Sequence, residues 1–414
     1  MSGPDGVVVV GAGLAGATAV ETLRAEGFDG RVVLVGAEEE RPYERPPLSK
    51  QYLLGAAGRD GAHVHAAEWY ADSDVDLRTG VRAVGLDPAA HEVELDSGEV
   101  LRYGVVLLAT GASARRLPVP GAELDGVRYL RTLADADRLR AELTGGGRRV
   151  VVVGGGWIGL EVAAAARHHG NPVTLVEPRP TPLHGVLGAR LGEVFARLHR
   201  SHGVDLRTGA SVRALEGSGG RVRSVLLDGG DPLPADLVVV GVGAVPETAL
   251  AEAAGLPVRN GIVVDPALRS AVPDVFAAGD VAAAFSLRYG RHLRVEHWAN
   301  ALHGGPAAAR SILGQDVVHD RVPYFFTDQY ELGMEYSGLG RPDGPVVCRG
   351  NPDEGPFIAF WLGPDGQVEA GMNVDVWDVA EQVQALVRSG EPVPVEQLTD
   401  PAVPLAELVP TGSG

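Results

Sequence analysis

Two short stretches of this chain have the residue types and spacing to hold nucleotide phosphates. They are Gly11-Ala12-Gly13-Leu14-Ala15-Gly16 and Gly154-Gly155-Gly156-Trp157-Ile158-Gly159. Each leaves a run of β-branched residues (7–10 and 150–153) and opens an alanine-rich stretch. The glycines permit a tight turn and let the backbone approach a pyrophosphate, and the N-terminus of the helix that follows offers unpaired N–H groups to the anion. One such fingerprint is a weak signal. Two in one chain imply two bound dinucleotides, and the usual reason to hold two is to pass electrons between them.

A carboxylate about 20 residues beyond such a turn receives the ribose 2′-hydroxyl. Glu177, 18 residues past Gly159, ends a second strand and fits that role. It repels a 2′-phosphate and so favours NADH over NADPH, although Arg179 stands close by. After the first fingerprint the strand ends at Gly36, and Glu38 is the candidate for the adenosine ribose; Glu39 and Glu40 read as solvated loop charge. Asp280 follows a small-residue run, where a carboxylate is expensive to bury unpaired. It reads either as a ligand to a cofactor hydroxyl or as the N-cap of a helix starting at Val281.

Some chemistry is excluded. Cys348 is the sole cysteine, so no CxxC or CxxxxC redox pair exists. A small packing side chain is the expectation for it, ahead of a catalytic thiol. His184, His199, His202 and His303 lack metal-ligand spacing and read as structural or exposed; no metal is expected.

The elements that must position these residues repeat. Residues 7–10, 17–25 and 31–35 read as strand, helix and strand, and residues 105–108 as another buried strand ending at Ala109-Thr110-Gly111. The pattern restarts with strand 150–153, helix 160–168 and strand 172–176. Residues 237–240, ending at Gly243, echo the 105–108 strand. Beyond about Pro323, alternating segments such as 357–361 and 367–372 predict an antiparallel sheet, with a helix over 374–387. The chain is thus an α/β protein of two Rossmann-like dinucleotide-binding domains, one inserted in the other, plus a C-terminal α+β domain. The expected boundaries are 1–112 with 244–322, 113–243, and 323–414.

The 414 residues suffice for two or three domains. Composition is ordinary for a soluble globular protein, at 45% hydrophobic and 22% charged. A net charge of −18 argues against a general nucleic-acid binder, which needs a basic face. The N-terminal MSGPDG lacks a basic and then apolar leader, and no apolar run approaches the roughly 20 residues that span a bilayer. The expectation is cytoplasmic, with no membrane and no nucleic acid. The tail 408–414 reads as disordered.

A resemblance rests on segments occurring in order: the first fingerprint; Arg45-Pro46-Pro47-Leu48-Ser49-Lys50; Ala109-Thr110-Gly111; the second fingerprint continuing Leu160-Glu161-Val162-Ala163; Phe276-Ala277-Ala278-Gly279-Asp280; Glu296-His297-Trp298-Ala299-Asn300-Ala301; and Pro323-Tyr324-Phe325-Phe326-Thr327-Asp328-Gln329-Tyr330. Together they resemble the oxygenase-coupled NADH-dependent ferredoxin reductases, the putidaredoxin reductase-like family of glutathione-reductase-fold flavoproteins. The likeness covers nearly the whole chain. The Arg45–Lys50 and Asp328–Tyr330 segments are far more diagnostic than the glycines.

The resemblance implies FAD in the first module, NADH in the second, and a [2Fe–2S] ferredoxin as one-electron acceptor serving an oxygenase or cytochrome P450. It places Lys50 near flavin N5, paired with Glu161. The pair holds Lys50 positive and so stabilises electron density on the reduced flavin, as a tuner rather than a proton-transfer catalyst; without the likeness Lys50 reads as a surface lysine and Glu161 as a helix-face acid. Asp280 would meet a ribityl hydroxyl beside Gly279, Arg131 the flavin phosphate or its loop, and Trp298 the isoalloxazine ring. Arg45 and Val81 complete the flavin-side candidates, with Gly11, Gly13, Leu14, Ala15, Gly16, Glu38 and residues 109–111. Gly154, Gly156, Ile158, Gly159, Glu177 and Gly243 are those for NADH.

Three departures stand out: Tyr324, Phe325 and Phe326 where the family often has tryptophans, Ala37 where it commonly has an acid, and His303 where it often has Gln. They bear on partner choice. Arg288, Arg291 and Arg294 form a candidate docking patch for an acidic ferredoxin, with a plain solvated face as the competing reading. Monomer and homodimer both remain open. So do two other functions: direct action on a small molecule, and a redox-sensing flavoprotein resembling apoptosis-inducing factor, in which NADH controls oligomeric state.

Overall fold

Strands of a parallel sheet are covered on both faces and therefore read as unbroken apolar runs. That is what places Gly6–Val10, Arg31–Val35 and Val105–Leu108 at the heart of a five-stranded sheet. The computed structural model describes residues 5–409; what the sequence suggested for residues 1–4 and 410–414 lies outside them. The described chain divides into two compact units.

The first unit comprises the segment up to Pro46, Gly58–Ser113 and Ala244–Arg321. Its sheet has the order Val275–Ala277, Val105–Leu108, Gly6–Val10, Arg31–Val35, Val75–Arg78. The pairings are parallel, with Val7 opposite both Val32 and Val105. Helix Leu14–Ala25 packs against helix Trp298–Ile312.

The second unit comprises Pro47–Ala57, Ala114–Gly243 and the residues from Val322 on. Its parallel sheet repeats the first: Val204–Thr208, Val173–Glu177, Val150–Val153, Leu237–Val240, Val127–Tyr129. Val150 lies opposite Val173 and Leu237, as Val7 lies opposite its two neighbours. The unit also holds an antiparallel sheet ordered Tyr324–Gln329, Leu332–Gly338, Val368–Val374, Phe357–Leu362, Val346–Gly350. Helix Ala380–Ser389 buries Val383 and Leu386 with Phe360 and Val368 of that sheet. Segment 47–57 and the antiparallel sheet therefore cluster with the second nucleotide module.

Local expectations needed correction in three places. The helix expected over 374–387 begins only at Ala380. Asp375 and Asp378 adopt positive φ, and the turn is tied by Gly333 N–H donating to the Asp375 carboxylate (2.9 Å) and the Asn373 amide donating to the Val376 carbonyl (2.7 Å). Nor does Asp280 cap a helix at Val281. Ala282–Ser286 is a strand paired in parallel with Ile262–Val264, so sheet pairing overrides the helical preference of its alanines. At the other end Leu405–Leu408 is helical with Leu408 buried, so the tail is ordered at least through that residue. Among the described residues no helix is long and apolar enough to cross a membrane.

Candidate functional site

The two fingerprints are built alike, each inside its own unit. Gly11 has φ +120° and a Cβ there would lie 2.1 Å from the Ala109 carbonyl oxygen; Gly154 has φ +103° and would meet the Gly241 carbonyl oxygen at 2.4 Å. No other residue fits either turn. Gly13 and Gly156 differ: a Cβ on Gly13 meets nothing within 4 Å, and one on Gly156 meets only the Gly241 oxygen at 3.9 Å. The space beside these two glycines is open. Both are N-caps without a side-chain hydrogen bond, and neither helix carries an acid in its first turn. By contrast, helix Leu133–Leu143 is closed by a capping box between Thr132 and Asp135. A helix start with free N–H groups and an empty cradle is the donor set a pyrophosphate requires. On this test the chain fits two dinucleotides.

In the first unit Glu38 lies just past the Arg31–Val35 strand. It accepts from the Tyr43 hydroxyl at 2.5 Å and from Arg45 at 3.4 Å, and the Arg45 guanidinium lies over the Tyr43 ring. A carboxylate offers about four acceptor positions, so Glu38 keeps capacity for a ribose. Val81 N–H holds the Gly36 carbonyl, and the Thr110 hydroxyl holds the Glu247 carbonyl. Gly111 and Gly279 both take positive φ. A Cβ on Gly279 would lie 2.9 Å from Ala15 Cβ, so its glycine lets the Asp280 turn close onto the fingerprint helix beside Leu14 and Ala15. Asp280 is half-buried, and its charge supports protonation of His297 against the burial that drives that imidazole down to about 4. Trp298 begins the next helix. Burial pushes the Glu44 carboxyl up, and the neighbouring Trp298 opposes that rise.

In the second unit Glu177 is buried. One oxygen accepts from Gly155 N–H at 2.6 Å and the other from Arg179 N–H at 2.9 Å. Ile158 is 42% exposed on the first turn of its helix, an apolar surface left uncovered beside the open cradle. Gly243 has φ +104°, and its carbonyl accepts from Arg115 N–H. Arg131 precedes the Thr132 cap, and its own N–H donates to Asp135.

The same unit buries an ion pair. Lys50 Nζ donates to Glu161 Oε1 at 2.8 Å, and the two side chains are 7% and 3% exposed. Lys50 also lies 5.3 Å from the Phe326 ring centroid, within cation–π range. Neither partner is a surface charge. The Ser49 hydroxyl donates to Glu161 Oε2, and the Thr327 hydroxyl donates to Oε1 at 2.5 Å. Behind Thr327 stand Gln329, whose amide donates to the Thr327 oxygen at 3.2 Å, and His199, 2.9 Å from Gln329 Oε1. Burial drives His199 down to about 4, so it is a neutral imidazole.

Motif reading missed Ser49, Thr327, Gln329 and His199. One sequence signal for the pair went unused: among 36 lysines and arginines, Lys50 is the only lysine. A chain that uses arginine everywhere else has kept at this position a compact ammonium in place of a planar fork.

Other candidates separate. Arg294 is mostly buried and engaged with Glu296 and the Asp280 carbonyl. It therefore drops out of the expected arginine patch, leaving Arg288 and Arg291 exposed. Glu40 is no solvated loop charge: it pairs with Arg59 at 2.5 Å and with His63 at 3.1 Å. Phe325 packs between Trp157 and Tyr336, and the Tyr324 hydroxyl donates to Glu335. Burial pushes the Cys348 thiol up, the opposite of what an activated nucleophile needs.

Residues 5–305 match the family described as pyridine nucleotide-disulphide oxidoreductase, and residues 324–409 match the reductase C-terminal domain. The chain is 41% identical to the ferredoxin–NAD(+) reductase component of an anthranilate 1,2-dioxygenase system from Burkholderia cepacia, over 97% of this chain and 98% of that protein. It is 37% identical to a putidaredoxin reductase from Pseudomonas putida, over 99% and 98%. The crystal structure of a covalent putidaredoxin reductase–putidaredoxin complex superposes with a TM-score of 0.94 at 36% identity, covering 99% of each chain.

Proposed function

Because this chain belongs to the pyridine nucleotide-disulphide oxidoreductase family, we propose that it is an FAD-dependent NADH:ferredoxin oxidoreductase. On this reading it supplies electrons to a [2Fe–2S] ferredoxin that serves an oxygenase or cytochrome P450. The observation that carries the reading is the pair of open, uncapped glycine cradles in a chain with a single cysteine. Two nucleotides are held, and no dithiol exists to relay electrons between them and a disulfide substrate. Relatives named as ferredoxin reductases, alike over nearly their whole length, support the choice of acceptor.

We assign residues 1–112 and 244–322 to FAD, 113–243 to NADH, and 323–414 to a C-terminal domain, with segment 47–57 of the first range clustering in the unit that carries the NADH module. A cytoplasmic location is part of the same reading. When bound, FAD supplies acceptance of a hydride and its release as single electrons. The protein supplies binding and charge. Free N–H groups at Gly13 and the turn carrying Asp280 would hold the flavin nucleotide, with Glu38 on its ribose. The Gly156 turn, Ile158 and Glu177 would hold NADH. Glu177, already fixed by two backbone N–H groups, has no freedom to swing away from a 2′-phosphate, which is the basis for choosing NADH over NADPH. Lys50, held cationic by Glu161, would favour the electron-rich reduced flavin.

The test is anaerobic stopped-flow mixing of the flavin-loaded protein with NADH or NADPH, then with a [2Fe–2S] ferredoxin. Fast bleaching by NADH followed by fast delivery supports the reading. Bleaching without delivery to several ferredoxins replaces it with direct action on a small molecule. Slow reoxidation with a change of oligomeric state replaces it with a redox sensor.

A further inference from the structure

The buried cluster behind Glu161 has a direction. A threonine hydroxyl has one proton to give. With the Thr327 hydroxyl donating to Glu161 Oε1, its oxygen must accept from Gln329 Nε2. That turns Gln329 Oε1 towards His199, whose Nε2 therefore carries the proton. His199 Nε2–H, the Gln329 amide and the Thr327 hydroxyl each donate one step nearer to Glu161. Thr327 and Gln329 stand two apart on one strand and so share a face. Thr327, Gln329 and His199 are 0%, 1% and 0% exposed, so bulk solvent does not reach these groups. His199 lies 130 residues from Gln329 in sequence, and the reading of the pair itself makes no use of it.

We propose that Thr327, Gln329 and His199 are positioning residues, a one-way series of donors that fixes Glu161 as an ionised, oriented acceptor for the ammonium of Lys50. Every donor in the series ends on the carboxylate, so a protonated Glu161 would leave Thr327 facing a competing donor. The neutral imidazole at the far end supplies a donor without adding a second cation. Ser49 holds the other carboxylate oxygen, so Glu161 is gripped from both sides and Lys50 takes up the remaining direction. The bearing of this device on electron transfer rests on the tuning role assigned above to Lys50 and Glu161.

The sole lysine makes the test direct. In flavin-loaded protein grown with 15N-lysine, the side-chain ammonium region can contain only Lys50. Its hydrogen-exchange rate reads how firmly the pair is held, and the flavin midpoint potential is measured on the same samples. Thr327→Val, nearly the same shape without the hydroxyl, is expected to speed ammonium exchange by roughly tenfold or more, the worth of a hydrogen bond to a buried charge. Thr327→Ser, which keeps the hydroxyl, restores the parent rate. Gln329→Leu acts in the same direction, His199→Gln less so because it keeps a donor. Since the residues act in series, Thr327→Val with Gln329→Leu together exchange no faster than Thr327→Val alone.

Unchanged exchange in Thr327→Val, or effects of the two substitutions that simply multiply, would overturn the proposal. Faster exchange with a lower potential supports both the device and the tuning role; a tenfold loss in favour of the reduced flavin is about 30 mV for a two-electron couple. Faster exchange at an unchanged potential supports the device and removes the tuning role from Lys50 and Glu161.

Discussion

Replacing Glu161 by glutamine tests whether the buried pair is a true ion pair. Gln keeps the volume but removes the charge and puts an NH2 group against Ser49 or Thr327, which now donate towards a donor. Lys50, 7% exposed and 2.8 Å from its partner, is left as an uncompensated buried cation. Breaking one side of such a pair costs about 3–5 kcal/mol. For a unit of this size each kcal/mol moves the melting temperature by roughly 2–4 °C, so a fall on the order of 6–20 °C is expected. Lys50→Met should cost a similar amount by stranding the carboxylate. The double variant, neutral at both positions, should return to within about 1 kcal/mol of the parent, since a buried pair is often no better than well-packed neutral groups. The cycle would then show a coupling of about 5 kcal/mol or more. The assay is thermal and urea unfolding at saturating FAD, which holds ligand linkage constant, at low and high salt. A buried pair is little screened, whereas an exposed one such as Arg149–Asp236 weakens with salt. Additive single effects, or a loss that high salt abolishes, would refute the reasoning.

The open glycines give a paired prediction. Gly13→Ala and Gly156→Ala add a methyl group to empty space, so melting of the apoprotein should stay within about 0.5 kcal/mol of the parent; the first should lose flavin absorbance on purification, and the second should keep flavin and raise the NADH KM about tenfold. Gly11→Ala, by contrast, should fail to give folded protein, because its Cβ would lie 2.1 Å from a carbonyl oxygen. Substituting Glu177 by Ala should lower NADH kcat/KM by roughly tenfold to a hundredfold and narrow the NADH/NADPH ratio, read from steady-state ferredoxin reduction with each nucleotide. Acid should weaken the second unit through His199. Its folded value of about 4 lies below the ordinary 6.5, so the unfolded chain binds the extra proton. Stability is full above pH 6.5 and falls, by up to about 3 kcal/mol, between pH 6.5 and 4, levelling off below that. His297 and His319 add the same sign in the first unit, and His199→Gln should flatten the slope in urea midpoints for the second unit alone.

What could be read in the sequence was mostly local. The turns at Gly11 and Gly154 announce themselves because one position forbids every other residue, and the strands beside them because a parallel sheet demands apolar runs. The pairing of Lys50 with Glu161 spans 111 residues; only resemblance pointed to it, since no spacing rule reaches that far. Thr327 meets Glu161 across 166 residues and His199 meets Gln329 across 130, so their roles had no local trace, although the Asp328–Tyr330 segment had marked itself as diagnostic. Arg294 shows the reverse failure. Its partner Glu296 is two residues away, and reading three arginines as one charged patch overlooked it. The turn at Asp375–Asp378 was missed because tertiary hydrogen bonds set its positive φ angles.

The lone lysine gives the protein a built-in gauge of its own opening. A protease that cuts only after lysine has one site in the whole chain, and that site is buried against Glu161 and Phe326. Cleavage there reports the fraction of molecules in which segment 47–57 has come away, with no background from other positions. Amine-directed reagents face the same restriction, finding the α-amino group and otherwise a single guarded ammonium. Any cationic surface this protein offers a partner is accordingly made of guanidinium groups, which bind carboxylates as planar forks and which lysine-based cross-linking would never capture.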